Sequence, residues 1–435
     1  MLFTAENPHI ADFLILLYSD SIQIFDSEKG MNLKKGMKSA AVLRAGPPNG
    51  PYSAQWFSTM REGLLINDCD DFAGIYATSG PSPTALLGCI GEDKKLCDTW
   101  FNLRPEDVVG NHGEELRCFA KFLKRFEHLR TAFPRISDFR EFRSHFSVIR
   151  RLKDGHVFSN LFLYELIKKH AEPYLDRIFS PEAALIKIGT TDFFTGQHIV
   201  FSNKVPEHKN LIFKAVVASM GIVPLFPPFP IEEDPRKLKL TDSPHSYYNT
   251  LSLIDGGYRA SLLIEEAIRE PVNYDMIFIV DIDGFDYDQI RPDTPHNLIT
   301  RIRRSESIAS TTNDRLRLSL VDRINEGIFI RDQEIEARDE LIKLKDSMGD
   351  SEKLDPVIKK LNDSINRMNN GRLRLSDKRK TGIVPVSSPD SSFPFDFSNF
   401  TQAEVTHLMR AGHNAALKTL GQLGLSTKGI PVIRP

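Results

Sequence analysis

Two short stretches hold residue types that could carry out acyl transfer. The first is Ala77-Thr78-Ser79-Gly80-Pro81, where a serine follows an apolar run that begins at Phe72. Pro81 and Pro83 come next, placed where the first turn of a helix accepts proline because those N–H groups have no intrahelical partner. A strand, a sharp turn bearing serine and a helix make a nucleophile elbow. The turn lifts the hydroxyl clear of the sheet, and the helix N-terminus favours negative charge nearby. On its own, such a serine reads as an N-cap. The second stretch is Asp255-Gly256-Gly257, directly after the apolar run 250–254. On its own it reads as a turn. Together the two make chemical sense, since a serine hydroxyl is a poor nucleophile until a base takes its proton. Two glycines after the aspartate allow a tight backbone that would bring its carboxylate to the serine.

Positioning these groups needs a sheet. Ser39-Ala-Ala-Val-Leu43 reads as a buried strand, followed by the loop 44–50 and a helix from about Tyr52 with Trp56, Met60 and Leu64 on one face. Strands are expected over 72–76, 184–188, 198–201, 250–254 and 276–280, with helices over 113–132, 209–220 and 259–269. A proline-rich loop covers 224–230. Strands alternating with helices imply a three-layer α/β fold with a mostly parallel sheet, here assigned to 38–295. Residues 1–37 read as an N-terminal extension. From 296 to 385 the pattern is charged helix without strands, including an antiparallel pair on which Leu344, Met348, Leu361 and Ile365 face inward. A C-terminal segment, 386–435, returns to the α/β domain through a helix over 401–420.

Composition excludes several classes. A formal net charge of −2, from 56 basic and 58 acidic residues, gives no electrostatic case for nucleic acid. Four cysteines in 435 residues show no metal-ligand spacing and no disulfide framework, which fits a reducing compartment. The apolar block 13–18 lacks a preceding basic region, so no signal peptide is expected, and nothing approaches the ~20 apolar residues of a membrane span. A cytoplasmic protein is expected, without cofactor or metal.

At these residues the chain resembles the patatin-like phospholipases, serine lipid acyl hydrolases that use a Ser–Asp dyad. The resemblance covers nearly all of 38–300 and resumes at 395–420. It rests on the elbow 72–88, on Thr191-Asp-Phe-Phe-Thr-Gly196 followed by His198-Ile-Val-Phe201, on the segment 215–228 and on Asp255-Gly256-Gly257. It implies Ser79 as nucleophile, Asp255 as base, and the Gly46 and Gly80 amides as oxyanion donors. It also implies a lipid or phospholipid substrate, with peripheral membrane contact. The departures lie in the oxyanion loop. Where the family has G-G-G-x-[RK]-G, this chain has Ala45-Gly46-Pro47-Pro48-Asn49-Gly50. Pro47 has no N–H to donate, and Asn49 stands in place of the basic residue. Reduced activity is therefore expected, the alternative being a catalytically degenerate protein that acts as a lipid-binding or interaction module.

Overall fold

The computed structural model describes residues 33–110, 146–223, 225–233, 251–282, 298–348, 354–370, 381–388 and 400–431, with 114, 115, 118, 238, 239 and 375–378 between them. Most of the expected helix over 113–132 and most of the extension 1–37 lie outside these residues. Of the extension, Leu33 is buried in the core.

Among the described residues, eight strands form one sheet: β1 (Ser39–Leu43), β2 (Phe72–Thr78), β3 (Leu185–Asp192), β4 (His198–Ser202), β5 (Phe229–Ile231), β6 (Leu251–Asp255), β7 (Met276–Val280) and β8 (Gly382–Val386). Their order is β5-β6-β3-β2-β1-β7-β8, with β4 also paired to β3. Strands β3, β2, β1, β7 and β8 run parallel. Strands β4 and β6 run antiparallel to β3, and β5 antiparallel to β6.

The period-2 pattern sorts side chains to two faces. Ala41, Leu43, Ile75, Ala77, Phe278 and Val280 join one core cluster. Ala40, Val42, Tyr76, Ile277 and Ile279 join another on the opposite face. On the first face lie α1 (Asn49–Ile66), α2 (Ser82–Gly88), α3 (Asp93–Asn102), α4 (Asn160–Ala171) and α5 (Ile212–Met220). On the second lie α6 (Ile264–Arg269) and the middle of α7 (Leu298–Met348), through Leu318 and Val321. The fold is thus three-layer α/β, as expected. The chain steps from β1 through β2 to β3, then later fills the other side of β1 with β7 and β8. That reversal makes the C-terminal end of β1 a topological switch point, where ligands of open α/β sheets bind.

Helix α9 (Gln402–Gln422) docks on α1 at glycine contacts. A Cβ on Gly412 would lie 2.2 Å from the Tyr52 carbonyl oxygen, and one on Gly63 would lie 2.3 Å from Leu420. At Gly412, where the neighbour is backbone, only hydrogen fits; at Gly63 a larger residue would have to push Leu420 aside.

Four expectations need correction. The stretch 296–385 is not free of strands, because β8 begins at Gly382 and extends the parallel sheet beside β7. A β-edge strand with an outward proline, Pro385, is compatible with pairing on one side only. Nor is the middle of that stretch set apart from the α/β domain: Thr311, Asp314, Leu318 and Val321 are buried against it. Helix α6 starts at Ile264, not at 259, because 260–263 run as a buried loop whose Ser261 carbonyl accepts the Ala45 amide at 2.8 Å. Finally, Phe229–Ile231, assigned to a loop, pairs as β5. Farther out, α7 and α8 (Asp355–Asn370) pack together as the expected helical pair, with Ile365 buried in it, but Leu344, expected to face inward, is exposed.

Candidate active site

Ser79 leaves β2 in a left-handed conformation, φ +62°, rare for a residue with a side chain. Such backbone costs on the order of 1–3 kcal/mol and persists where surroundings enforce it. Here the enforcement comes from Ser219 on α5. Its buried Oγ accepts the Ser79 amide at 2.8 Å and the Ser82 hydroxyl at 3.1 Å, and donates to the Gly189 carbonyl at 2.6 Å. One hydroxyl has one proton and two lone pairs, so all of its capacity is used. Sequence reading did not single out Ser219. The signal was a polar residue among Ala215, Val216, Val217 and Ala218 on a buried helix face.

Ser79 Oγ donates to Asp255 Oδ2 at 2.6 Å. Asp255 Oδ1 accepts the Gly257 amide at 2.7 Å, which fixes the carboxylate plane. Both side chains are buried. Both were expected at strand ends along one edge of a mostly parallel sheet, but Asp255 arrives differently. Strand β6 descends antiparallel to β3, with Asp255 opposite Thr190, and Thr78 lies opposite Gly189 on the other side of β3. The two residues therefore meet across β3 at one register level. Gly256 permits this, since a Cβ there would sit 2.3 Å from the Gly189 carbonyl oxygen.

The loop after β1 closes the third side. Gly46 has φ +140°, and its carbonyl oxygen would lie 2.5 Å from a Cβ on Gly80, so loop and elbow touch backbone to backbone. Gly50 is pressed by Trp100, whose ring atoms would lie 2.6 Å from a Cβ there. The Asn49 and Gly50 amides bond back to the Gly46 and Pro47 carbonyls at 3.1 and 3.2 Å. Asn49 turns its side chain away from Ser79, donating to Ala45 and Asp281 and accepting from the Ile282 amide. Among the described residues, the Gly46 and Gly80 amides have no hydrogen-bond acceptor.

Ser79, Gly80 and Pro47 open onto a cleft of about 900 Å³, mouth included, whose walls are almost wholly apolar. Leu86, Trp100, Leu163 and Phe226 are among them. His170 also lines it, with Nδ1 3.3 Å from Thr99 Oγ1. Burial, then Lys169 and Lys95, lower the His170 pKa and favour a neutral ring. Among the described residues, none of α7 or α8 lines the cleft. His413 on the C-terminal helix α9 bonds Thr59 on α1 and is not among the residues lining the cleft. Taken together, the arrangement offers a serine with a buried carboxylate at its hydroxyl, unengaged amides beside it, and an apolar groove leading away.

A family model for patatin-like phospholipase matches residues 41–268, just over half of the chain. Among solved structures, the chain resembles the crystal structure of VipD from Legionella pneumophila. The TM-score is 0.36 and the sequence identity 9%, over 90% of this chain and 70% of that one. No curated protein matches it.

Proposed function

Because the chain belongs to the patatin-like phospholipase family, we propose that it hydrolyses an ester bond of a lipid, with Ser79 as nucleophile and Asp255 as base. The observation that carries this reading is the 2.6 Å Ser79–Asp255 hydrogen bond, made from a left-handed serine at the mouth of an apolar cleft. The acyl chain lies along the cleft. Asp255 takes the hydroxyl proton as Ser79 Oγ attacks the acyl carbon, and the Gly80 and Gly46 amides stabilise the oxyanion that forms. Collapse expels the alcohol, which receives the proton from Asp255. Water, activated by the same carboxylate, then releases the fatty acid and frees Ser79. No step calls for a metal or cofactor.

A second reading, a lipid-binding module that has lost efficient turnover, is favoured by Pro47. A proline in the oxyanion loop removes a donor, and losing one such donor slows acyl transfer by a factor on the order of 10²–10³. Labelling with a fluorophosphonate probe separates the two readings. Labelling of the intact protein that disappears in Ser79→Ala supports the hydrolase, and absence of Ser79-dependent labelling supports the module. For the dyad, Asp255→Asn is expected to cut turnover nearly as far as Ser79→Ala, with the double variant little worse, because groups acting as a unit are non-additive. Losses that multiply independently would rule the dyad out.

A further inference from the structure

The loop 44–50 is held from the side opposite the cleft by a buried polar network to which none of the cleft-lining residues belongs. Arg44 Nη1 donates to Asp281 Oδ2 at 2.6 Å, Nε to Asp314 Oδ2 at 2.8 Å, and Nη2 to Thr311 Oγ1 at 3.1 Å. Asp281 directly follows β7, while Thr311 and Asp314 belong to α7. From Asp314, two routes end on the loop. One runs through Arg44 and Asp281 to Asn49, which donates to Asp281 Oδ1 and to the Ala45 carbonyl, both at 3.2 Å. The other runs through Ser261, whose hydroxyl donates to Asp314 Oδ2 at 2.5 Å and whose carbonyl accepts the Ala45 amide.

We propose that this network is a brace through which α7 sets the geometry of the loop beside Ser79, with Arg44, Asn49, Asp281 and Asp314 acting as positioning residues for its oxyanion donors. The proposal rests on reading that loop as the oxyanion loop. Stability alone is a poor reason for the cluster, since well-packed apolar residues replace buried ion pairs at little or no cost. Geometry is a better one. The Arg44 guanidinium offers a planar fork that fixes two carboxylates from two different elements, and each of those carboxylates is one bond from the loop or one residue from it. Burial works to lower the Arg44 pKa, but Asp281 and Asp314 outweigh it and the net shift is upward, so the fork stays charged. An oxyanion donor displaced by a fraction of an ångström loses much of its effect, which gives a distant helix leverage over the rate.

The test uses the full chain and two readouts. Hydrogen–deuterium exchange of the 44–50 segment reads the loop directly, with α9 as an internal reference. Turnover of a short soluble ester reads the site. In Asp314→Asn, which keeps the volume, and in Asn49→Ala, which cuts the brace at the loop, 44–50 should exchange about tenfold faster while α9 is unchanged. In both, kcat should fall about tenfold with KM little altered, and the double variant should be no worse than the singles. A folded Asp314→Asn protein with parental loop exchange and parental kcat overturns the brace, as do single effects that simply add. If Asp314→Asn does not fold, Thr311→Val decides, because it preserves shape and removes one Arg44 acceptor on α7. Faster loop exchange in that variant supports the brace, and unchanged exchange overturns it. Should the parent show no Ser79-dependent turnover, the hydrolase reading fails, but loop exchange still decides the brace.

Discussion

At the scale of single residues, the Ser79 amide and the Pro47 ring decide how the site works. Ser219 takes the Ser79 amide, so that N–H is not free to bind an oxyanion formed beside it. The same bond holds the strained turn. Ser219→Ala leaves the Ser79 amide and the Gly189 carbonyl without their partner, at a cost of about 1–3 kcal/mol for buried groups. Its expected phenotype is a kcat lower by about 10–10²-fold with KM nearly unchanged, because the acyl cleft is untouched. Steady-state kinetics beside a thermal melt check this, and a variant that loses only Tm would make Ser219 merely structural. Pro47 sits at the cleft beside Gly80. Pro47→Gly restores an N–H and the freedom to aim it, against about 0.4–1 kcal/mol of stability lost to a more flexible unfolded chain. Restoring a donor is worth more than that, so esterase turnover should rise at least about tenfold. Flat or lower turnover in a folded variant would show that the oxyanion is served without this position.

Among the elements, the helical pair formed by α7 and α8 has two distinct parts. The middle of α7 is built into the sheet's second face through Leu318 and Val321, and Leu375 fills a small cluster with Ile324 and Ile328. Beyond that, α7 and α8 pack mainly on each other, held by contacts such as Ser364 to Glu334 and Lys345 to Asp355. A lid would open on lipid and expose the site. Among the described residues, no cleft-lining side chain comes from either helix. Deleting 333–372 and joining the ends should therefore leave a folded protein whose kinetics match the parent on both short soluble esters and aggregated lipid. Better turnover of short esters with worse turnover of aggregates would revive the lid.

Across the whole molecule, buried histidines tie stability to pH. His208 accepts the Ser202 amide at Nδ1 and contacts the Leu238 carbonyl through Nε2, and it packs against Phe201. Burial lowers its pKa more than those backbone bonds raise it, and His170 and His413 shift the same way. A lowered histidine pKa means that the folded state binds protons less readily than the unfolded chain. Stability is then complete above the ordinary value near 6.5 and declines as pH falls below it. Melting temperature should drop on acidification from about pH 7 towards pH 5. In His208→Gln the melt should start lower but slope less steeply across that window. An identical slope would remove His208 as a contributor.

The order of small, apolar and chemical residues along the chain was enough to establish the three-layer sheet, the elbow at Ser79, the Asp255-Gly256-Gly257 turn and the return of the C-terminal helix. Each of these is local: a strand shows its period, a helix its cap, and a turn its glycines. Sequence also shows that Pro47 has no N–H to offer, because proline lacks one in any fold. Partners distant in the chain were decided by tertiary structure. Nothing local says that β6 descends antiparallel to put Asp255 opposite Thr190, since strand direction is set by which neighbour it pairs with. Gly382–Val386 reads as loop because a strand containing proline is weak until β7 offers its edge. Ser219, Arg44, Asn49, Asp281 and Asp314 carry no motif as a group. Only packing, which closes the site's hydrogen bonds over more than a hundred residues of intervening chain, brings them to it.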